Sequence, residues 1–316
     1  MKTVPTTRII IFLVALLFSA CMEQDESAYE RQVREDNESL EGYLEANAIQ
    51  AERINGGIYF ETLRKNPDGT AIEDESIVAI RYNLQTLNGK ALHQLDSAEP
   101  AIRFYHAREY PNALIPRGIN IGISQMKSGE LYRFYVPSYQ AFNTYSFGQY
   151  LPHNAILVAE VEVEKIETKT AIENEEKQAI TDYISSNNLT EVEELPSGIF
   201  FQLLKKGTGE KPTTGAQAKV DFKGYYLDGE VFSESEEGKP FTFYVGKNEI
   251  IPGFEEGVVT MTKGAKARVF IPSDLAFAEG IQIIPPTVRK DFLEEHNILD
   301  RRTFEPVIFE MELLDF

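Results

Sequence analysis

Positive charge, cysteine, histidine and tryptophan are all scarce in this chain of 316 residues. It has 31 lysines and arginines against 50 aspartates and glutamates, a formal charge of −19 at pH 7. So acidic a surface argues against nucleic acid as the main partner and against polybasic membrane attachment, because both need a basic face. One cysteine excludes an intramolecular disulfide and a cysteine-rich zinc site. With four histidines and no HExxH motif, we expect no metal and no cofactor.

The first residues predict an export signal. Basic residues precede an apolar run at 9–18, which is too short to span a bilayer. The sequence LFSAC at 17–21 resembles the lipobox of bacterial lipoproteins, although Phe18 stands where an aliphatic residue is usual. We expect residues 1–20 to be removed and Cys21 to be lipidated, which anchors the chain in the bacterial envelope, with the outer membrane favoured over the inner and the chain facing the periplasm or the exterior. An ordinary cleaved signal with an incidental cysteine is the alternative.

The segment after Cys21 is acidic and poor in large apolar residues. Such a composition does not support a packed core, so residues 21–37 are predicted to be a tether between the membrane and the folded part.

An internal repeat organises the rest of the chain. LEGYLEANAIQAERINGGIYFETLRK at 40–65 recurs as ITDYISSNNLTEVEELPSGIFFQLLKK at 180–206, and Val136-Pro137-Ser138 recurs as Ile271-Pro272-Ser273. A period near 140 residues indicates duplicated domains and not a solenoid of short units. The predicted division is into three parts: a first domain at 38–167, a linker helix at 168–194 and a second domain at 195–316.

Each copy carries the same pattern of elements. An acidic helix, at about 37–47 and 171–187, precedes segments of alternating polarity that predict strands. Asp228-Gly229 is typical of a hairpin turn, and a short helix is expected at about 253–261. Many strands with one short helix predict an α+β fold in which an antiparallel sheet curves around that helix.

The second copy resembles the FKBP-type peptidyl-prolyl cis-trans isomerases. The matching segments keep the family's order: VDFKGYYLDGEVF at 220–232, GKPFTFYVGKNEIIPGFEEGVVTM at 238–261, KGAKARVFIPSDLAF at 263–277 and VIFEMELL at 307–314. The first copy, at about 50–166, is similar to a diverged member. The resemblance implies two FKBP-like domains, with isomerase activity on X–Pro bonds of proline-containing polypeptides mainly in the second domain. It implies no cofactor, and it implies a role in the folding of exported envelope proteins.

The resemblance also implies which residues form the pocket of the second copy. Phe254 is expected beneath the prolyl ring, where the family usually has tryptophan, and the Ile251 N–H is expected to donate to a substrate carbonyl. The implied site residues are Phe222, Phe232, Ser233, Phe241, Ile250, Ile251, Phe254, Phe277 and Phe309. Packing in the core is the alternative role for these phenylalanines, and Phe222 and Phe309 can serve both roles.

Three departures from the family pattern predict weaker activity. Ser233 replaces an aspartate, Phe277 replaces a tyrosine whose hydroxyl meets the substrate, and Phe222 lacks the hydroxyl of a common tyrosine. A lost hydrogen bond to a charged group is worth about 1.5–3 kcal/mol, and a neutral one less.

The first copy is further from a working pocket. Leu92 and Ile119 stand where aromatic residues are expected, and His93 stands where the aspartate is expected. The residues that line this diverged pocket are predicted to be Tyr82, Leu92, Ile115, Ile119 and Phe142. The aromatic loop at 139–150 is either a binding surface or packs against itself or the neighbouring domain.

An insertion at 287–304 lengthens the second copy before its last strand. Phe292, Leu293, Ile298 and Leu299 are predicted to form the apolar side of a short helix, while Arg289, Lys290, Arg301 and Arg302 are expected to be exposed. The insertion either shapes the substrate at the pocket mouth or is an inert surface segment.

Two other functions remain open at this point. The apolar grooves suit a non-catalytic chaperone that holds chains, and the layout also resembles FKBP-like lipoproteins of envelope machines, some of them associated with motility. The sequence selects no client protein.

Overall fold

The structure is a computed structural model that describes residues 26–73, 76–94, 101–105, 116–277 and 284–316. The predicted signal peptide, Cys21 and Ile115 lie outside the described residues. Within these ranges, none of the helices combines the length and the apolar character needed to cross a bilayer.

The first domain is a helix followed by a seven-stranded antiparallel sheet. Its helices are α1 (Ala28–Ala46) and α2 (Arg117–Ile123). Its strands are β1 (Glu52–Ile54), β2 (Ile58–Arg64), β3 (Ile77–Thr86), β4 (Ala91–Gln94), β5 (Ile102–Tyr105), β6 (Leu131–Val136) and β7 (Leu157–Glu167). The strand order is β1-β2-β6-β7-β3-β4, with β5 beside β3. Helix α2 packs against β2, β6 and β7, so it covers one face of the sheet.

The second domain repeats this arrangement. Its helices are α3 (Lys169–Ser186), α4 (Pro252–Thr260) and α5 (Pro286–Glu295). Its strands are β8 (Val192–Glu194), β9 (Phe200–Lys205), β10 (Gln217–Tyr226), β11 (Val231–Glu234), β12 (Phe241–Tyr244), β13 (Lys266–Ile271) and β14 (Val307–Asp315). The order β8-β9-β13-β14-β10-β11, with β12 beside β10, is that of the first sheet. The predicted α+β fold and duplication are therefore confirmed, and α5 has no counterpart among the described residues of the first domain.

Alternation along β14 from Phe309 onward shows how the strand separates a core face from a charged face. Phe309, Met311 and Leu313 are buried against the short helix side. Glu310 points the other way and accepts from Arg268 of β13, with Nη2···Oε1 at 2.7 Å. A period of two thus places an apolar row on the core and charged pairs on the outer face.

Helix α1 begins earlier than predicted. It starts at Ala28, where Ser27 and Glu30 form a capping box, and not near residue 37. The buried Asp36 accepts from the backbone N–H and the hydroxyl of Ser138, at 2.7 and 2.6 Å. The prediction of a tether is therefore wrong from Ala28 onward, because acidic residues that look solvated in sequence fasten the helix to the first domain.

Helix α3 is fastened in the equivalent way to the second domain. Its buried Glu176 accepts from the backbone N–H of Ser273 at 2.7 Å, and Ser273 is the counterpart of Ser138 in the repeat. Ile180 packs with Phe200 and Phe270. The predicted linker helix is thus part of the packed second domain.

Glu176 makes the stability of the second domain depend on pH. Burial raises the pKa of its carboxyl above the ordinary 4.5, and Oε1 has no hydrogen-bond partner among the described residues. The folded chain therefore keeps this proton to higher pH than the unfolded chain. The contribution of Glu176 to the free energy of unfolding thus falls as pH rises from about 4.5 through the raised pKa. Glu176→Gln should remove that fall. The difference in unfolding free energy between wild type and variant, measured by urea titration, should decrease from acid to neutral pH.

The control for this prediction is Glu173→Gln on the same helix. Glu173 is only partly buried, with a side chain 43% exposed, and its pair with Lys169 is long, at 3.9 Å. The difference in unfolding free energy between Glu173→Gln and wild type should stay constant from acid to neutral pH. A constant difference for Glu176→Gln as well would contradict the role assigned to burial.

Candidate active site

Six of the predicted pocket residues form one aromatic cluster in the second domain. Phe254 lies at its centre, with ring centroids 5.0 Å from Phe309 and 5.5 Å from Phe222, both nearly perpendicular. Phe232 lies 5.6 Å from Phe277, also edge to face. Edge-to-face packing is the arrangement that aromatic quadrupoles favour. The rings brought together are Phe222, Phe232, Phe241, Phe254, Phe277 and Phe309.

The sequence around α4 explains why Phe254 lies buried among the other rings. Pro252 occupies the first helical position, where its missing N–H costs nothing. A Cβ on Gly253 would lie 2.2 Å from Cγ2 of Ile271, so only glycine lets α4 approach β13 this closely. Phe254, the next residue, is 1% exposed beneath the other rings.

A second glycine lets two rings of the cluster pack directly on a strand. Gly224 lies in β10, and a Cβ there would come within 2.8 Å of the rings of both Phe232 and Phe309. These two rings contact each other, with centroids 5.5 Å apart. A larger residue at position 224 would therefore push them away from the strand.

The structure also places a hydrogen-bond donor at the pocket. Ile250 and Ile251 are half-buried against the aromatic cluster, and Ile251 is the residue before α4. Its carbonyl accepts from Phe254 and Glu255, whereas its N–H meets no acceptor among the described residues. A free backbone N–H at the start of a helix is a preformed donor for a carbonyl.

Ser233 and Ser235 differ in what they do. Ser233 lies half-buried on β11 opposite Gly224, and its part in the pocket stays a prediction. Sequence reasoning missed Ser235, whose hydroxyl accepts from the N–H of Phe222 at 3.0 Å. It thereby ties the strand that carries Phe232 to the strand that carries Phe222. A serine among acidic residues gives no signal of this contact.

The insertion forms one rim of the pocket, contrary to the expectation that its basic residues are exposed. The guanidinium of Arg301 lies over the rings of Phe232 and Phe277, at 4.7 and 5.1 Å. The guanidinium of Arg302 lies over the ring of Tyr226 at 4.5 Å. The backbone N–H of Arg302 donates to the Tyr226 hydroxyl at 2.8 Å. Burial raises the pKa of Tyr226, so this hydroxyl stays protonated at neutral pH.

Other predictions for the insertion are corrected as well. Helix α5 ends at Glu295, so Ile298 and Leu299 lie beyond it, and both are exposed. Leu293 is buried as predicted. The Arg289 side chain is only 15% exposed and pairs with Asp300 at 2.5 Å. Lys290 is exposed as expected.

The insertion packs into the core of the first domain, which contains the residues equivalent to the second pocket. Tyr82, Leu92 and Ile119 are buried together in this core, with Phe142 packed against it. Ile284 and Val288 of the second domain belong to the same core, 0% and 3% exposed, and Phe292 packs against it. Because Tyr82, Leu92 and Ile119 are at most 5% exposed, this predicted lining of the first pocket is closed to solvent in this structure.

The aromatic loop at 139–150 contacts α5. The Tyr145 hydroxyl donates to the carboxylate of Asp291, and the Tyr150 hydroxyl donates to the carbonyl of Leu92. Phe142 and Tyr145 pack together at 6.3 Å. Of the two roles left open for this loop, packing on itself and on the neighbouring domain is the one that these contacts support.

Comparisons with known proteins agree with this geometry. Residues 69–164 and 208–314 match the family model described as FKBP-type peptidyl-prolyl cis-trans isomerase. FKBP-type peptidyl-prolyl cis-trans isomerase FkpA of Aeromonas hydrophila is 40% identical over 113 residues, 35% of this chain and 41% of that protein. Outer membrane protein MIP of Legionella longbeachae is 40% identical over 84 residues, 26% of this chain and 35% of that protein. This chain spans less than half the length of these curated relatives.

Proposed function

Because the chain belongs to the family of FKBP-type peptidyl-prolyl cis-trans isomerases, we propose that its second domain isomerises X–Pro bonds in polypeptides. The observation that carries the proposal is the aromatic cluster around Phe254, with the free N–H of Ile251 at its edge. The six rings supply an apolar site for a prolyl ring. The N–H supplies a fixed donor for the carbonyl next to it.

The proposed mechanism needs no nucleophile and no proton transfer. Rotation about the peptide C–N bond costs about 18–20 kcal/mol because the planar amide has partial double-bond character. That resonance form is charge-separated, so moving the amide from water into the apolar pocket destabilises it relative to the twisted state. A hydrogen bond from Ile251 that strengthens in the twisted state lowers the barrier further. Each tenfold acceleration requires about 1.4 kcal/mol.

In this proposal only the second domain isomerises X–Pro bonds. The first pocket is closed by Ile284 and Val288, so the first domain serves to hold the insertion and not to bind substrate. We further propose that the signal at 1–20 and a lipidated Cys21 place the chain in a bacterial envelope, where slow prolyl steps limit the folding of exported proteins. The relative named outer membrane protein MIP supports this location.

The full chain should accelerate the cis–trans exchange of a proline peptide, measured by exchange spectroscopy without a coupled protease. The full chain is needed because part of the second domain is buried in the core of the first. The same preparation should be tested for suppression of aggregation of an unfolded protein. Suppression without any acceleration would overturn the proposal and favour a chaperone that only binds.

A further inference from the structure

Arg301 lies at the second pocket although it was not among the predicted pocket residues. It follows α5 in the insertion and reaches the rim of the second pocket, over Phe232 and Phe277. The insertion is held at its other end in the core of the first domain, through Val288 and through Ile284, which lies just before it. One domain thus anchors the segment that delivers a cation to the active site of the other.

The guanidinium of Arg301 keeps one edge free. Its Nη1 donates to the carbonyls of Phe232 and Asp300, at 3.3 and 2.9 Å. Its Nε and Nη2 donate to no atom of the described residues. These two nitrogens form the side of a guanidinium that binds a carboxylate through two parallel hydrogen bonds. The free edge is therefore suited to an acceptor from outside the chain.

Arg301 also differs from its neighbours in charge balance. It lines a cleft of about 650 Å³ between the two domains together with Arg81, Arg103, Lys165, Arg289 and Arg302. Each of those five has a carboxylate within 4.0 Å, for example Glu164 for Arg81 and Asp228 for Arg302. Arg301 makes no ion pair with any residue that the structure describes.

Burial increases the free-energy cost of leaving the Arg301 guanidinium without a partner of opposite charge. Arg301 is half-buried against aromatic rings, and burial lowers the pKa of its guanidinium. A partly desolvated charge gains most from a partner that brings the opposite charge. The six pocket rings are phenylalanines and carry no side-chain donor, whereas the guanidinium of Arg301 lies over two of them, Phe232 and Phe277.

We propose that Arg301 binds the substrate through a carboxylate beside the X–Pro bond, so that the second domain prefers prolines flanked by aspartate or glutamate. The proposal rests on the proposed isomerase function of that domain. It names Arg301 as a residue that determines specificity, whereas the aromatic cluster and Ile251 act on the amide itself.

The test compares proline peptides that differ in one acidic residue. Pairs with Glu-Pro against Gln-Pro, and Pro-Glu against Pro-Gln, are assayed for kcat/KM and for Kd with the full chain. Wild type should favour the glutamate member of at least one pair about tenfold, which corresponds to about 1.4 kcal/mol. Arg301→Gln should bring that ratio close to one and leave the glutamine peptides nearly unaffected. High salt should reduce the wild-type preference.

Lys290→Gln is the matched control. It removes one positive charge from the same insertion at an exposed position, so the glutamate preference should persist. A wild-type ratio near one in both pairs, or a preference that survives Arg301→Gln, would overturn the inference. If wild type accelerates no peptide, the isomerase proposal fails. The Kd ratios then decide the role of Arg301 separately, since tighter glutamate binding that Arg301→Gln abolishes still supports it.

Discussion

Phe254→Leu is expected to lower kcat/KM for a proline peptide by at least about tenfold, or 1.4 kcal/mol of barrier. Phe254 is the proposed floor of the pocket and contacts three other rings of the cluster, Phe222, Phe241 and Phe309. Each aromatic pair is worth about 0.5–1.5 kcal/mol beyond the burial of area. Leucine removes these contacts and the flat surface beneath the prolyl ring. It stays apolar, whereas alanine would cost about 3–5 kcal/mol of stability and confuse activity with folding.

Phe134→Leu is the matched control for this substitution. Phe134 is fully buried in the first domain, and it too packs against other rings, 6.0 Å from Tyr132 and 6.3 Å from Phe60. The chemical change is identical, but it lies outside the second pocket. Both variants should be compared at equal folded fraction, monitored by circular dichroism. Equal losses of kcat/KM in the two variants would argue that Phe254 acts through general stability.

Val288→Asp is expected to separate the insertion from the first domain. Val288 is 3% exposed in the core of that domain. An unpaired carboxylate there costs on the order of several kcal/mol, more than the apolar contacts of one helix turn return. Releasing α5 should open the first pocket, and amide hydrogen exchange in α2 and β4 should accelerate at least about tenfold. The glutamate preference assigned to Arg301 should fall at the same time, because its segment loses its anchor.

Lys290→Asp provides the comparison for Val288→Asp. It introduces the same carboxylate two residues away, on the exposed side of α5. Exchange in the first domain should then match wild type. Tyr145→Phe, which removes only the hydroxyl that donates to Asp291, should give a smaller acceleration of exchange with the domain folded. Unchanged exchange in Val288→Asp would mean that α5 does not close the first pocket.

The phenylalanines that cluster in the second domain could be named from the sequence because the family resemblance assigns them through the order of its motifs. The structure brings six of them together, and their role as a substrate pocket stays a prediction. The start of α4 at Pro252 and the alternation along β14 could be predicted from local spacing. Such features depend on a few neighbouring residues, which a sequence shows directly.

The contacts between distant segments could not be predicted in this way. Asp36 and Ser138 are 102 positions apart, and nothing in an acidic stretch indicates that one carboxylate is buried. Tyr145 and Asp291 are 146 positions apart and belong to different domains. That Arg301 lacks a carboxylate partner is seen only when the partners of the neighbouring cations are known from the structure. Such pairings are properties of the packed fold, so they became visible only in three dimensions.

The central claim is that the second pocket receives a prolyl residue while the chain itself closes the first. Isoleucine methyl groups report on both pockets in one spectrum of the full chain. On titration with a proline peptide, we expect shifts of Ile250 and Ile251 beside Phe254. Ile119 and Ile123, buried in the first domain, should stay unchanged. Shifts at Ile119 and Ile123 without shifts at Ile250 and Ile251 would contradict the account.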